Sequence, residues 1–481
     1  MKNHIKEYII VLILKRKRGF IVKNINNVIT YKNIYFIGIG GVSMSGIAHT
    51  LKHFGYNVAG SDTSDSSSIH SLVDSQIPVY IGHYPEKIKD YDLVVYTAAI
   101  AKDDPELVIA HSLNIPTMER AVFLGLLTKC FAETITISGT HGKTTTTSMV
   151  SLCFLKANLH PSIQVGAYLR DISGNYVVGN SDYFILEACE YVESFLHFFP
   201  KSAIVLNIDN DHLDYFKNID NIQKAFEKYV KLLPSDGLLV TNADDSRCLE
   251  ISKSSKAKVI TYGINNLSSN FIAKNINFDD NGFPEFDVYN NNNFYAHIHL
   301  SVRGTHNILN ALACIAMCSY YGISSDIICD ALHSFTGANR RMEYKGKFNN
   351  DVSVFDDYAH HPTEIKATAM GLKNMKYNES WVVFQPHTYS RTKNLLNDFA
   401  NVLLNFDHII ITDIYAAREK DIYGVSSKDL ADKIKSLGGN VTYIKDFNDI
   451  VSYLKDNVSS KDIVLTVGAG TVTQIGSLLT K

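Results

Sequence analysis

The residues with the clearest chemical potential lie in segment 134–147, which reads Thr-Ile-Thr-Ile-Ser-Gly-Thr-His-Gly-Lys-Thr-Thr-Thr-Thr. A β-rich run enters a loop of small residues and a helix-like segment follows, so backbone N–H groups and a helix N-terminus can bind phosphate there. Lys143 would lie against the β- and γ-phosphates of a nucleotide, and the Thr144 hydroxyl would bind Mg²⁺. Ile137 stands where the strict G-x-x-x-x-G-K-[ST] pattern has its first glycine. We nevertheless interpret the segment as an ATP site, because Gly-Lys-Thr at the start of a helix is uncommon in an ordinary turn with a solvated lysine.

Acidic residues and a histidine follow two further apolar runs. One run ends in Glu-Ala-Cys-Glu at residues 187–190, and the other leads into Asn-Ile-Asp-Asn-Asp-His-Leu-Asp at residues 207–214. In open α/β sheets ligands gather at the carboxyl ends of the strands, so these groups should converge on the phosphates. Thr144, Glu187 and His212 are therefore the predicted Mg²⁺ ligands. Solvated acidic turns are the alternative interpretation.

A second glycine-rich loop lies earlier in the chain. Residues 38–46 read Gly-Ile-Gly-Gly-Val-Ser-Met-Ser-Gly directly after a buried-strand run. A strict G-x-G-x-x-G pattern would need glycine at Ser43, so the loop is a degenerate dinucleotide-type loop whose glycines still let a diphosphate approach the backbone. The next strand ends in Asp62, close to where a dehydrogenase places its ribose-binding acid. On these residues alone an NAD site remains open.

Two polar loops in the last third of the chain also follow predicted strands. They read Asp-Asp-Tyr-Ala-His-His-Pro-Thr-Glu at residues 356–364 and Gln-Pro-His-Thr-Tyr-Ser-Arg-Thr at residues 385–392. Their matching positions favour a binding site over two unrelated surface loops. Adjacent histidines seldom hold one metal ion together, so His360 and His361 do not predict zinc. Asn307 lies in the first turn of another predicted helix, where it either caps the helix or faces a nucleotide base.

Length and composition set the broad organisation. A chain of 481 residues with 46% apolar residues predicts about three domains of a globular α/β protein. A net charge of −3 argues against a nucleic-acid partner. The seven cysteines form no C-x-x-C pair, so neither a disulfide framework nor a zinc site is indicated, and Cys314 and Cys318 are interpreted as buried apolar groups. A reducing cytoplasm is the expected compartment. Apolar runs predict strands at residues 34–37, 93–97, 134–138, 183–186, 203–206, 352–355, 381–384, 408–412 and 463–467.

The first thirty residues differ from the rest of the chain. Residues 8–14 are apolar but too few to span a bilayer, and four cations follow at 15–18. We predict an extension over residues 1–32 that is disordered, with a weak amphipathic membrane contact as the alternative. No stable membrane association is expected. The remaining chain divides into a Rossmann-like domain (33–128), a central P-loop ATPase-like α/β domain (129–337) and a C-terminal Rossmann-like α/β domain (338–481).

Taken together, these motifs resemble those of the Mur ligase family, which adds amino acids to the peptidoglycan precursor. The resemblance covers essentially residues 33–481, and its elements stand in the family's order. They are the segments 35–48, 139–145, 187–191, 211–215, 357–364 and 384–387. The last two are similar to the family branch that joins L-alanine to UDP-N-acetylmuramate. Ser43 and Ala359 depart from that branch, in which glycine is usual at both positions.

The resemblance implies three domains that bind UDP-N-acetylmuramate, ATP with Mg²⁺, and L-alanine, and it makes the NAD interpretation unfavourable. The implied UDP-sugar contacts are Gly38, Gly40, Gly41, Ser43, Met44, Ser45 and Asp62. The implied ATP contacts are Gly139, Thr140, His141, Gly142, Lys143, Thr144, Thr145, Asn307 and Asn310 (adenine), Asp357 (ribose) and Arg341 (γ-phosphate). The implied amino-acid contacts are Tyr358, His360, His387 and Arg391.

The implied reaction is consistent with these residue types. ATP converts the carboxylate into an acyl phosphate, and the alanine nitrogen then attacks it. Phosphoryl transfer needs charge neutralisation, which Lys143 and Mg²⁺ supply, with Glu187 and His212 beside them. His360 is a candidate base for the amine proton, although water can also serve. A monomer or dimer is expected. The alternative function is a non-catalytic, ATP-gated sensor of cell-wall precursors, which would not need all of these residues.

Overall fold

The computed structural model describes residues 25–349, 351–417 and 419–481. Within them, strands and helices alternate along most of the chain and form three β-sheets, as the α/β prediction requires. Contacts divide the chain into two compact units. Among the described residues, the first comprises 25–272, 290–292 and 310–331, and the second comprises 273–289, 293–309 and the described part of 332–481. In this part of the chain, no helix is both long enough and apolar enough to cross a membrane.

The first sheet is parallel and has the strand order β3-β2-β1-β4-β5. Its strands are β1 (Asn33–Ile37), β2 (Asn57–Asp62), β3 (Val79–Ile81), β4 (Leu93–Tyr96) and β5 (Thr117–Glu119), and its helices are α1 (Val42–His53), α2 (Ser67–Asp74), α3 (Pro105–Ser112) and α4 (Arg120–Thr128). Ile34 and Phe36 pack in one apolar cluster, whereas Tyr35 and Ile37 pack in another, so both faces of β1 are buried. Because β1 lies between β2 and β4, the glycine loop after it is at the topological switch point.

Residues 25–32 correct the predicted extension. Residues 25–28 form a helical turn, and Ile25 and Ile29 are 0% and 1% exposed within the core of the first unit. The Tyr56 hydroxyl donates to the Ile29 carbonyl oxygen at 2.8 Å, which fixes the segment against β2. The expectation of disorder is therefore wrong for these eight residues, because two isoleucines spaced four apart bury their side chains. Residues 1–24, the rest of that extension, lie outside the described residues.

The second sheet supplies the remaining strands of the first unit. They are β6 (Glu133–Ser138), β7 (Ser162–Leu169), β8 (Gly174–Val177), β9 (Tyr183–Glu187), β10 (Ser202–Val205), β11 (Leu238–Asn242) and β12 (Lys258–Gly263), in the order β12-β11-β10-β6-β9-β7-β8. The helices are α5 (Lys143–Lys156), α6 (Leu213–Phe216), α7 (Ile219–Val230) and α8 (Ser246–Ser252). β6 pairs in parallel with both β9 and β10, with Ile137 opposite Glu187 and Ser138 opposite Val205. The segments predicted to carry the ATP chemistry therefore start at one edge of this sheet.

The strands β13 (Phe271–Phe278), β14 (Pro284–Asn290) and β15 (Asn293–His299) come next, followed by the helices α9 (Thr305–Tyr320) and α10 (Ser325–Ser334). The six-stranded sheet of the second unit has the order β16-β17-β21-β18-β19-β20. Its strands are β16 (Glu343–Phe348), β17 (Val352–Asp357), β18 (Ser380–Phe384), β19 (His408–Ile411), β20 (Val441–Tyr443) and β21 (Ile463–Val467). Its helices are α11 (Pro362–Leu372), α12 (Tyr389–Asn394), α13 (Leu396–Leu403), α14 (Ser427–Ser436), α15 (Phe447–Asn457) and α16 (Thr473–Leu479).

The ends of β17 and β18 meet at the same edge of this sheet. Val467 at the end of β21 pairs with both Asp357 and Phe384, the last residues of those two strands. The polar loops 356–364 and 385–392 therefore start at one edge, as their positions in the sequence predict. Only β16 runs antiparallel to its neighbour, which is consistent with a mainly parallel α/β sheet.

Candidate active site

The phosphate loop after β6 depends on two glycines. Gly139 has a φ of +137° and Gly142 a φ of +84°, values that favour glycine over every other residue. A Cβ atom at Gly139 would lie 2.9 Å from the Leu206 Cβ, and one at Gly142 would lie 2.6 Å from the Asn310 Oδ1. The loop is therefore shaped by backbone freedom and close packing at two positions, although Ile137 replaces the first glycine of the strict motif.

The loop that follows β10 braces the phosphate loop. The His141 N–H donates to the Asn207 Oδ1 at 2.8 Å, and the Asn207 side-chain amide donates back to the His141 carbonyl oxygen at 3.0 Å. The Asp209 N–H donates to the Thr140 Oγ1 at 2.9 Å, and the Asp209 Oδ2 lies 3.0 Å from the His141 Nε2. These paired hydrogen bonds hold the phosphate loop in one conformation. The predicted ATP contacts Thr140 and His141 thus have structural partners in the segment predicted to carry acidic ligands.

Lys143 begins α5 and points back over the phosphate loop. Its Nζ donates to the carbonyl oxygens of Gly139 at 2.6 Å and Thr140 at 3.0 Å. It also lies 3.0 Å from the Glu190 Oε2, and the side chains are only 17% and 2% exposed. Burial is the largest single influence and lowers the pKa of Lys143, but the Glu190 carboxylate, together with the nearby Cys189 and Glu187, outweighs it, and the net pKa is raised above the ordinary lysine value. Lys143 is therefore a fully charged, pre-positioned cation in the loop.

Glu190 is a partner of Lys143 in the candidate site that the sequence interpretation missed. It stands in the Glu-Ala-Cys-Glu segment, but Glu187 was selected there because it ends the strand. The sequence shows a second carboxylate three residues after Glu187. It does not indicate which of the two carboxylates reaches Lys143. The separation of 47 residues between Lys143 and Glu190 is bridged only in the folded chain.

Glu187 and His212 lie on separate segments at this edge of the sheet. The Glu187 Oε1 accepts a hydrogen bond from the Gly166 N–H at 2.6 Å, which orients the carboxylate. His212 has a φ of +52° at the start of α6, and its Nε2 is 4.0 Å from the Glu190 Oε1. Its ring packs on Tyr191 with a centroid separation of 4.5 Å. An oriented carboxylate and an imidazole near the lysine–glutamate pair are the groups from which a cation site could be built.

The predicted adenine contacts lie on α9, three residues apart. The Asn310 side chain lies directly against Gly142, since its Oδ1 is 2.6 Å from the point that a Cβ atom of residue 142 would occupy. Asn307 donates from its side-chain amide to the Arg303 carbonyl oxygen at 2.6 Å. The side-chain NH2 group of Asn307 therefore bonds to the backbone just before its own helix.

The glycine loop after β1 is held by a carboxylate. The Gly38 φ is +80°, and the Gly41 N–H donates to the Gly38 carbonyl oxygen at 3.2 Å. The Asp62 Oδ2 accepts from the Gly40 N–H at 2.9 Å. The acid that would bind ribose in a dehydrogenase thus anchors the loop itself. Sequence reasoning placed Asp62 near the ligand but did not predict this internal bond.

Ser43, the departure from the glycine pattern, has a structural role. Its Oγ accepts from the Gln164 Nε2 at 2.5 Å and from an Arg120 guanidinium nitrogen at 3.3 Å. Met44 and Ser45 are 1% and 2% exposed, and the Ser45 hydroxyl bonds to its own helix. The side chains of Met44 and Ser45 therefore face the protein interior, which leaves backbone N–H groups of the first turn of α1 for a diphosphate.

Asp357 ends β17 as a buried carboxylate, 5% exposed. Its oxygens accept from the Ala359 N–H at 3.0 Å and the Thr368 hydroxyl at 2.9 Å. Burial raises the pKa of Asp357 to about 6, opposed in part by the Arg341 charge and by these hydrogen bonds. Arg341 itself lies 3.7 Å from the Glu364 carboxylate. The predicted ribose and γ-phosphate contacts are thus electrostatically coupled neighbours in the second unit.

The structure brings three of the predicted amino-acid contacts together. The His360 and His387 ring centroids are 5.6 Å apart, and the His360 Nδ1 lies 2.9 Å from the Tyr358 carbonyl oxygen. The Tyr358 ring also lies beneath the Arg341 guanidinium, 5.5 Å from its centre. Arg391, the fourth, is on the short helix α12, which follows β18 and the His387 loop. Two imidazoles and nearby cations suit a small zwitterion.

Comparison with known proteins places this geometry in a family. Three family models match in chain order: "Mur ligase family, catalytic domain" at residues 33–132, "Mur ligase middle domain" at 137–318, and "Mur ligase, glutamate ligase domain" at 340–470. The chain belongs to the Mur ligase family. Its three sheets are those of the three-domain α/β Mur ligase fold, and the fold-class prediction is confirmed.

Several members of this family are similar to the chain over almost its whole length. The UDP-N-acetylmuramate–L-alanine ligase of Acetivibrio thermocellus is 49% identical, over 94% of this chain and 96% of that one. The ligase of the same name from Clostridium novyi is 51% identical, over 93% and 97%. The solved UDP-N-acetylmuramate-alanine ligase of Thermotoga maritima has a TM-score of 0.78 at 29% identity, covering 93% of this chain and 98% of that one.

Proposed function

We propose that this Mur ligase joins L-alanine to the carboxylate of UDP-N-acetylmuramate with ATP, giving UDP-N-acetylmuramoyl-L-alanine, ADP and phosphate. The observation that carries the proposal is the glycine-shaped phosphate loop with its buried, charged Lys143. That loop lies in a chain about half identical to relatives named for this reaction. The product is a precursor of peptidoglycan, so the protein acts in cell-wall synthesis. Because ATP is the co-substrate, the cytoplasm is the proposed compartment. The proposed oligomeric state is a monomer or a dimer.

In the ATP site, the phosphates bind the loop 139–145 and the first turn of α5. The Nζ of Lys143 exchanges its contacts with the Gly139 and Thr140 carbonyl oxygens for phosphate oxygens, while Glu190 holds the charge in position. Since the lysine is already buried and charged, little reorganisation is needed when negative charge moves onto the transferred phosphoryl group. This is the step that makes the acyl phosphate from the sugar carboxylate.

Thr144, Glu187 and His212 would hold Mg²⁺. Two oxygen donors and one imidazole fit a hard cation that keeps several water ligands. Bound Mg²⁺ would neutralise charge on the ATP phosphates. The Gly166 N–H donates to the Glu187 Oε1 at 2.6 Å and so orients this carboxylate. Asn307 and Asn310 would contact adenine, Asp357 the ribose and Arg341 the γ-phosphate.

The other two substrates use the first and third domains. The diphosphate of UDP-N-acetylmuramate would lie along Gly38, Gly40 and Gly41 and the start of α1, where N–H groups without intrahelical partners are available. L-Alanine would bind at a site comprising Tyr358, His360, His387 and Arg391. Arg391 would bind the carboxylate of alanine bidentately, and His360 would take the proton of the attacking amine.

The domain boundaries are part of the same proposal. The UDP-sugar domain would begin at residue 25 rather than 33, because Ile25 and Ile29 pack in its core. It would end near residue 128, at the end of α4. The central ATP-binding domain would run from 129 to 337 and the C-terminal domain from 338 to 481.

The deciding experiment measures ADP release with UDP-N-acetylmuramate and ATP while the amino acid is varied among L-alanine, glycine, L-serine and D-glutamate. We expect release that requires both the sugar nucleotide and an amino acid and is fastest with L-alanine. The Lys143→Ala variant, whose loop retains both glycines, serves as the negative control. The wild-type protein could instead bind ATP and UDP-N-acetylmuramate but release no ADP with any of the four amino acids. In that case the precursor-sensor alternative replaces the ligase. Faster release with D-glutamate would contradict the substrate assignment alone.

A further inference from the structure

Three cysteines from two helices meet inside the first unit. Cys153 lies near the end of α5, and Cys314 and Cys318 lie one turn apart on α9. The Sγ atoms of Cys153 and Cys314 are 3.7 Å apart, and those of Cys314 and Cys318 are 3.8 Å apart. All three residues are 0% exposed. A sequence without any C-x-x-C pair therefore places three sulfur atoms in one buried group.

The three sulfurs lie close enough together for one metal ion to bind all of them after a small adjustment. With metal–sulfur bonds of about 2.3 Å, sulfurs lie roughly 3.8 Å apart around a tetrahedral ion and roughly 4.0 Å apart around a trigonal one. All three sulfurs lie within 4.8 Å of one another, and this group contains no fourth His, Cys, Asp or Glu ligand atom among the described residues. Three sulfur ligands without a fourth suit a three-coordinate soft ion better than zinc, whose structural sites are almost always four-coordinate.

The charge distribution also suits an ion of low charge. Hydrogen bonds from the thiols of Cys314 and then Cys318 lower the pKa of Cys153 below the ordinary thiol value, whereas burial raises the pKa of the other two. Binding of a metal ion requires that at least one of the three thiols loses its proton. A monovalent cation on one thiolate leaves no net charge in the apolar interior, and each further thiol that ionises releases its proton to solvent.

We propose that Cys153, Cys314 and Cys318 form a buried three-sulfur site for a monovalent thiophilic metal ion, Cu(I). The ion would join α5 to α9 close to the nucleotide site. Cys153 is ten residues, or roughly 15 Å, along α5 from Lys143. Cys314 is one helical turn beyond Asn310, whose Oδ1 lies 2.6 Å from the Cβ position of Gly142. A bound ion would therefore restrain the two helices that shape the phosphate loop, and it would reach its site through local opening of the fold.

The test uses the full chain, reduced and free of oxygen, titrated with Cu(I) in competition with a Cu(I) chelator. We expect one tightly bound Cu(I) per chain, an X-ray absorption shell of three sulfurs, and an apparent Tm raised by about 5 °C or more. Cys153→Ser and Cys314→Ser should each weaken Cu(I) binding at least about a hundredfold. Cys248→Ser is the matched control, because Cys248 is equally buried but belongs to a different helix, α8, and should keep wild-type binding.

Several outcomes would overturn the proposal. They are an absence of tight binding by wild type, a shell with fewer than three sulfurs, or wild-type affinity in Cys153→Ser. Zinc bound more tightly than Cu(I), with a nitrogen or oxygen in its shell, would equally contradict the three-coordinate assignment. If the serine variants fail to fold, Cys153→Ala and Cys318→Ala preserve the apolar surroundings, and the sulfur count in wild type decides the matter by itself.

Discussion

The two glycine loops of the first unit occupy equivalent places in their sheets, yet they are built differently. Each follows a central parallel strand, β1 or β6, and leads into a helix. The loop after β6 presents a buried lysine paired with Glu190, whereas the loop after β1 is tied internally through Asp62 and Ser43. A charge is thus fixed where phosphoryl transfer would need it, and neutral N–H groups are offered where a diphosphate would only be held. Under the proposed function, the loop after β6 would take part in the chemistry and the loop after β1 would only bind substrate.

Removing the lysine is the strongest test of that distinction. Lys143→Ala should reduce turnover at least about a hundredfold without unfolding the protein, because the cation stabilises the transition state while the backbone shapes the loop. Steady-state ADP release and a thermal melt measure both quantities. Lys156→Ala is the matched control, since Lys156 ends the same helix in a surface pair with Asp330 and should leave turnover nearly unchanged. Near-normal turnover in Lys143→Ala would show that the lysine does not act in the reaction and would contradict the proposed difference between the two loops.

Adding one methyl group to each loop separates their backbone requirements. Gly142→Ala should lower the stability by about 2 kcal/mol or more, because its φ is +84° and the new Cβ would lie 2.6 Å from the Asn310 Oδ1. Gly41→Ala should change stability by less than about 1 kcal/mol, because its φ is −60° and the nearest atom to the new Cβ is 3.4 Å away. Chemical denaturation of both variants checks the contrast. Equal losses of stability would contradict it.

Restoring the usual glycine at Ser43 tests the internal tie of the loop after β1. Ser43→Gly should lower the free energy of unfolding by about 1 kcal/mol, because the bonds from Gln164 and Arg120 lose their acceptor. The KM for UDP-N-acetylmuramate should rise modestly and the KM for ATP should stay fixed. Ser112→Gly is a control, since the Ser112 hydroxyl is exposed and donates to the Ile109 carbonyl oxygen of its own helix. An unchanged stability in Ser43→Gly would remove the structural role of that hydroxyl.

The smallest expected effect comes from neutralising the partner of the lysine. In wild type the Glu190 carboxylate keeps the pKa of Lys143 raised, so the lysine stays protonated to high pH. In Glu190→Gln the charge that does most to counter the effect of burial is lost, so the pKa of Lys143 falls. At alkaline pH, the activity of Glu190→Gln should therefore begin to fall at a lower pH than the activity of wild type. Near neutral pH the two activities should differ little. A pH–rate profile measures this. An alkaline limb at the wild-type position would show that Glu190 does not set the charge of Lys143.

Much of the fold followed from local patterns. The run predicted at 203–206 corresponds to β10 at Ser202–Val205, and the run at 463–467 is β21 without any shift. Such strands are buried on both faces, so they read as continuous apolar segments. Short edge strands such as β3 and β20 are only partly buried and were not predicted, because three half-exposed residues carry no comparable signal.

The candidate site divides in the same way. The sequence predicts Lys143, Thr144 and the glycines as phosphate contacts, because a phosphate loop needs fixed residue types at fixed spacing within one segment. Glu190, Gln164 and Arg120 were missed as partners, since each acts across a long separation in the chain. The buried segment at residues 25–29 was missed because Ile25 and Ile29 lie among asparagines, with no regular apolar pattern around them. Its contribution to the core depends on Tyr56, about thirty residues later.

By itself, the sequence determined which strands are buried, which loops can meet phosphate and which family the motifs resemble. These properties depend on side-chain type and short-range spacing, which a linear chain already contains. Only the tertiary structure decided that Lys143 pairs with Glu190, that Asp62 anchors the glycine loop, and that Cys153 meets Cys314 across 161 residues. Those pairings arise when parallel strands bring their ends to one edge and helices pack face to face. Hydrogen bonds and sulfur contacts act over a few ångströms, so they are fixed by packing and not by order along the chain.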